Sequence, residues 1–323
     1  MTPLVTTFAG DSARGEGLFS ASSANPIATK IIVGNNSAQN VKQVPLSSFT
    51  ITGTVATGAN TYPNQCAVDP SLTFVYVIGS TSLFKINMTT FTLTSTLALA
   101  GTLQSIVIDK AGAYAYVSSS SNNIYKIDLN TFTSVATFAQ TLPGYLALDP
   151  SNTYLYCSSF VNNYVRKITV STFASAGTVS IVSATGMAIN AAGTLMYVIN
   201  QNNNILATVT LSSFTVTANT AIPTSQAQTC IIDPTGNYLY ITDYGAGNVV
   251  RCLVSNIASN TTLGGFSSPN SIAIDPSGLF AYIANAGFNN INKISLSTFT
   301  ISSSLTGFSF PTGLCIGYTN YNS

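Results

Sequence analysis

The chain has no histidine and no tryptophan, and only 6% of its 323 residues are charged. An ordinary globular protein carries roughly 25%. Each shortage removes a class of function. Without histidine, the usual general base near neutral pH and the commonest metal ligand are missing. Ten Lys and Arg against nine Asp and Glu leave a net charge of +1. Nothing there can neutralise a row of phosphates, so nucleic-acid binding is not expected. No apolar run approaches the roughly 18 residues of a membrane span, so no insertion into a bilayer is expected. The start, "MTPLVTTFAG", lacks the basic and apolar regions of a signal peptide. Cys66, Cys157, Cys230, Cys252 and Cys315 are odd in number and contain no CxxC pair. A disulfide framework or zinc site is therefore not indicated. They fall in apolar strand patterns and read as buried free thiols.

What remains is a chain that is 46% hydrophobic and rich in Ser, Thr and Asn, the reverse of a disordered composition. Internal repetition organises it. Asp69, Asp109, Asp149, Asn190, Asp233, Asp275 and Gly317 recur every 40–43 residues. Each unit reads as four short strands. An apolar strand such as "SIAI" ends in a "DPSG"-like turn. A second strand carries a tyrosine seven positions after the Asp, as Tyr76, Tyr156, Tyr240 and Tyr282 do. An Asn-rich turn leads to a third strand, and a "STFT"-like corner opens the fourth.

Four-strand units of this length without helical periodicity predict an all-β fold, a seven-bladed β-propeller of four-stranded antiparallel blades. Six units are complete. Residues 27–60 supply strands two to four of the seventh, and its first strand is expected at 312–317, so both termini close one blade. The expected division is an arm over 1–26 and a single propeller over 27–323. Within the arm, residues 4–10 match a fourth strand although every blade already has one. That orphan is read as an extra outer strand, a strand donated to another copy, or the sign of a longer array.

The stretches "YVSSSSNNIYKIDLNTFT", "YVINQNNNILATVTLSSFT" and "IDPSGLFAYIANAGFNNINKISLSTFT" resemble YVTN-type and NHL-type propeller repeats, and the resemblance runs from residue 27 nearly to the end. It implies the propeller architecture. It does not imply one activity, since such propellers serve in surface layers, adhesion, ligand binding and some enzymes.

Charge is patterned within the repeat. Asp69, Asp109, Asp149, Asp233 and Asp275 each share a blade with a third-strand cation: Lys85, Lys126, Lys167, Arg251 and Lys293. The blades with Asn190 and Gly317 carry Thr208 and Gln43 instead. Joint presence and absence predicts five structural ion pairs rather than a ring of catalytic acids. The recurring tyrosines are expected to pack between blades.

Little else suggests chemistry. The only Glu is Glu16, and the acids outside the repeat positions are Asp11, Asp128 and Asp243. Channel-lining first strands with almost no acidic or amide side chains argue against a metal-dependent hydrolase. "GDSARGEG" (10–17) has no helix after it and is a weak phosphate-loop match. No catalytic, cofactor-binding or metal-ligating residue is assigned, and the chain is not expected to be an enzyme. Sequons at Asn35, Asn87 and Asn260 are candidate glycosylation sites, placed in turns. Phe160, Tyr244 and Phe288 lie in turns on one face and are candidate stacking groups for a carbohydrate. The leading expectation is a structural or interaction propeller, repeated in an extracellular, surface or virion assembly with copies of itself as partners. The alternative is a carbohydrate-binding or other ligand-binding module.

Overall fold

The computed structural model describes residues 30–316. They form seven four-stranded antiparallel sheets set around a central channel. Blade 1 pairs Pro311–Ile316 with Lys30–Asn35, followed by Asn40–Pro45 and Gly53–Ala56. Blade 2 is Cys66–Val68, Phe74–Ile78, Ser82–Asn87 and Thr92–Ala98; blade 3 is Leu103–Ile108, Tyr114–Ser119, Asn123–Asp128 and Thr133–Ala139. Blade 4 is Leu146–Leu148, Tyr154–Ser159, Tyr164–Thr169 and Ala174–Ser180; blade 5 is Ala184–Ile189, Leu195–Asn200, Ile205–Thr210 and Thr215–Ala221. Blade 6 is Ala227–Ile232, Tyr238–Asp243, Asn248–Leu253 and Asn256–Leu263; blade 7 is Pro269–Ile274, Phe280–Asn285, Asn290–Ser295 and Thr300–Leu305. The expected closure by a C-terminal strand is present, beginning at Pro311, one residue before the start that the sequence pattern suggests. The arm over 1–26, the strand expected at 4–10 and Gly317 lie outside the described residues.

Burial follows strand position. Second strands bury every residue after the first, whereas fourth strands such as Thr92–Ala98 are mostly exposed. The apolar cores lie between blades. One joins Tyr197, Ile199 and Leu206 of blade 5 to Cys230, Ile232 and Leu239 of blade 6. Another joins Tyr282 and Ile291 of blade 7 to Ile31, Val33 and Ile316 of blade 1, sealing the ring where the termini meet. Each outer edge would be a template for unwanted pairing. In six blades a bulge interrupts the ladder between third and fourth strands, and a bulge twists such an edge away from partners. Thr94, Thr217 and Ser302 hydroxyls donate to the carbonyls of Lys85, Thr208 and Lys293 at three of these bulges.

The "STF" corners hold an unusual backbone. Phe49, Phe91, Phe132, Phe173, Phe214 and Phe299 all have φ between 48° and 55°. A left-handed conformation costs a side-chain-bearing residue about 1–2 kcal/mol. The rings offset it by reaching the preceding blade. Tyr76 meets Phe132 at 6.1 Å, Tyr116 meets Phe173 at 5.8 Å, Tyr156 meets Phe214 at 5.7 Å, Tyr240 meets Phe299 at 6.0 Å and Tyr282 meets Phe49 at 5.8 Å. Blade 6 has Ile257 at this position. A β-branched side chain is poorly tolerated in that region, and there the chain turns tightly at Val254–Ser255 instead.

Candidate functional site

The two faces of the disc are built differently. One holds the turns between first and second strands and the Phe corners. The other holds the turns between second and third strands, the connections between blades, and the mouth of the central channel.

All five repeat aspartates are buried on the first face. The Asp69 carboxylate accepts the N–H groups of Thr73 and Phe74 and the Ser71 hydroxyl. Asp109 accepts from Ala113 and Tyr114, and Asp149 from Tyr154 and Ser151. Asp233 accepts from Asn237, Tyr238 and Thr235, and Asp275 from Leu279, Phe280 and Ser277. Asn190 makes the same two backbone contacts, to Thr194 and Leu195, at 2.9 and 3.0 Å. The turn therefore requires an Asx oxygen and not a charge.

The cations have other partners, which corrects the expected ion pairs Asp69–Lys85, Asp109–Lys126, Asp149–Lys167, Asp233–Arg251 and Asp275–Lys293. Lys85 lies 4.4 Å from the Phe74 ring centre, Lys126 4.1 Å from Tyr114, Lys167 3.8 Å from Tyr154, and Lys293 3.9 Å from Phe280. Arg251 is sandwiched, 5.0 Å from Tyr238 and 4.4 Å from Phe299. Lys85, Lys167 and Arg251 also donate to the carbonyls of Leu129, Leu211 and Leu296 in the next blade. In these three blades the cation is a fastener to the next blade. Burial lowers the Lys167 pKa, and the Asp149 charge opposes that shift without a direct bond. The sequence contained the missed signal: the residue five after each Asp is aromatic, but it is Leu195 after Asn190. Aromatic, acid and cation come and go together.

The sequons divide. Asn35 is 1% exposed, donates to Asn40 and accepts from Ser309, so it cannot present its amide to a transferase. Asn260 lies within the strand Asn256–Leu263 rather than in a turn. Asn87 is half-buried, and its oxygen caps the Thr89–Thr90 turn. All five cysteines are buried free thiols. Burial pushes Cys157 up to about 12 and Cys252 up to about 11.

The second face holds the cavities. A polar layer of Gln65, Ser105, Tyr145, Gly186, Thr229 and Ser271 lines the channel above an apolar layer containing Cys66, Ile106, Leu146, Met187, Cys230, Ile272 and Leu314. The polar layer occupies one repeat position, four residues before each Asp equivalent. A side chain at Gly186 would come within 2.5 Å of the Gln228 carbonyl, so this blade leaves its place in the layer open. Tyr145 of blade 4 extends across to blade 6, donating to the Gln228 side chain at 3.3 Å. Burial raises its pKa to about 12. Above this layer an open cavity of about 360 Å³ is lined by Asn64, Gln65, Gln104, Gly144, Tyr145, Gln228, Tyr244, Asn270 and Phe310. Five of the nine are amides, which corrects the expectation that the channel offers almost none. A column of Gln65, Gln104, Gln228 and Asn270, four or five residues before the Asp, was the readable signal. Tyr244 stands in this rim. Phe160 and Phe288 are 40% and 58% exposed on the same face.

No family model and no curated protein matches the chain. Solved structures do. Hydrazine synthase of Kuenenia stuttgartiensis superposes with a TM-score of 0.76 at 19% identity, over 84% of this chain and 94% of that one. A functionally unknown protein of Desulfotomaculum acetoxidans gives 0.79 at 12% identity, over 89% and 98%. The dihydro-heme d1 dehydrogenase NirN gives 0.68 at 9% identity, over 93% and 78%. The fold is a seven-bladed β-propeller. At these identities the likeness shows the fold alone. Two of these neighbours are enzymes by name, which overturns the expectation that this chain is not one. A propeller of this shape is compatible with catalysis, and missing histidine does not decide against it.

Proposed function

We propose that this propeller is an interaction module that holds an uncharged partner on the face around its channel mouth, as a repeated subunit of an extracellular or surface structure. The observation carrying this reading is the sorting of charge between faces. None of the turns between second and third strands, and none of the connections between described blades, contains Asp, Glu, Lys or Arg. The one acid beside them, Asp243, is fully buried and accepts from Ser225, Gln226 and Ala246. Ten large apolar side chains are exposed among the described residues, and seven belong to this face: Tyr62, Leu142, Phe160, Val161, Val182, Phe288 and Phe310. Such clustering marks an interaction surface.

The test locates the contact. Wild type, a Phe160→Lys/Phe288→Lys variant and a Leu279→Lys variant on the opposite face are compared for retention on envelope material of the source cells, at low and high salt. Wild type and Leu279→Lys should be retained regardless of salt, and the mouth-face variant lost. Retention that weakens with salt, or that follows Leu279→Lys, would overturn the reading.

A further inference from the structure

We propose that the channel mouth is a binding site for a neutral carbohydrate, entered by a chain end; this rests on the mouth face being the partner face. The cavity of about 360 Å³ falls at the lower end of the size range of small-molecule sites, roughly 300–1,000 Å³. Its chemistry is restrictive. The side-chain amides of Asn64, Gln65 and Asn270 open into it and form no hydrogen bond with another described residue. Each offers an acceptor oxygen and two donor hydrogens, a set that matches adjacent hydroxyls on a sugar ring.

Other ligand classes fit less well. A purely apolar ligand would cover these amides and leave them unpaired, so their desolvation would go uncompensated. A phosphate, sulfate or carboxylate would meet no cation among the lining residues. A cation would find no carboxylate in the lining. A sugar presents hydroxyls at its edge and C–H groups on its faces. Tyr244 and Phe310 stand at the rim where such a face would stack. Among these amides Tyr145 reaches across to Gln228, and the channel beneath holds a space of only about 80 Å³. A terminus can therefore enter from the mouth face but a continuous chain cannot thread through.

The experiment screens the purified propeller against an array of neutral and acidic oligosaccharides, then measures the best neutral hit by titration calorimetry. Wild type, Asn270→Ala, Tyr244→Ala and the opposite-face control Leu279→Ala are compared after thermal melting confirms that each is folded. Neutral glycans should bind, independently of salt, and each mouth substitution should weaken binding roughly tenfold while the control leaves it unchanged. Binding confined to acidic glycans would overturn the proposal. So would neutral binding that the mouth substitutions leave intact. If no glycan binds while wild type is still retained on envelope material and Phe160→Lys/Phe288→Lys is not, the carbohydrate assignment falls and the mouth-face reading stands. If retention also follows the opposite face, both fall.

Discussion

Lys293 Nζ lies 3.9 Å from the centre of the Phe280 ring, while the Asp275 carboxylate turns to Ser277 and Leu279. Tyr282 is the strand partner of Lys293, and Phe280 lies two residues away on the same face of the sheet. Period-two geometry therefore delivers ring and cation to each other.

A cation over a ring is worth about 0.5–2 kcal/mol, depending on desolvation. In a double-mutant cycle followed by urea unfolding, Lys293→Gln and Phe280→Leu should couple by about 1 kcal/mol. Asp275→Asn should cost about 0.5 kcal/mol, since Asn190 performs the same backbone task. Its effect should add to that of Lys293→Gln within about 0.5 kcal/mol. Strong Asp275–Lys293 coupling would restore the ion pair as the organising contact.

The Phe corners make a test in which glycine outperforms alanine. Phe299 is 5% exposed with φ at 52°. Phe299→Ala should destabilise by about 3 kcal/mol, from lost packing against Tyr240 and Arg251. Phe299→Gly loses the same ring but relieves the backbone, so it should be the more stable of the two by about 1 kcal/mol. Chemical denaturation of both variants decides the order.

Stability should fall at alkaline pH. Burial raises the pKa of Tyr76, Tyr116, Tyr156, Tyr240 and Tyr282 above the ordinary 10.0, with Tyr240 at about 12. Cys157 rises from 9.0 to about 12. These groups hold their protons more tightly when folded, so their contribution is complete below the unfolded values. It is lost as pH climbs from about 9 towards 12 and beyond. The share of tyrosinate absorbance that belongs to these five of the sixteen tyrosines should appear together with unfolding, not before it. Stepwise ionisation of the five tyrosines in a folded chain would contradict the burial argument.

Expression through a eukaryotic secretory pathway should leave Asn35 unmodified once folded, because its amide is consumed inside the protein. Peptide mass spectrometry reads this directly. Occupancy at Asn35 would show that modification precedes closure of blade 1 by Pro311–Ile316.

A thiol reagent should find none of the five cysteines in the native state and all of them after denaturation. Cys66 at 8% exposure and Cys230 at 5% line the channel floor and should react first if opening begins there.

The sequence by itself determined the ring. A 40–43-residue period, an Asx turn in six units and a recurring tyrosine in six second strands specify strand order and blade number, because turns and alternation are local properties. It also contained the positions of the cations, but not their partners. Co-occurrence tied Lys293 to Asp275 and to Phe280 equally well, and only strand register placed the ring within reach. The site followed the same logic. Gln65, Gln104, Gln228 and Asn270 are scattered polar residues along the chain. They become one surface only when the blades converge on a shared axis, which brings four first-strand ends to a single cavity. The face whose turns and connections contain no charged residue arose likewise, since each turn is short and ordinary alone. The tertiary structure decided what they amount to together by setting them all on one side of the disc.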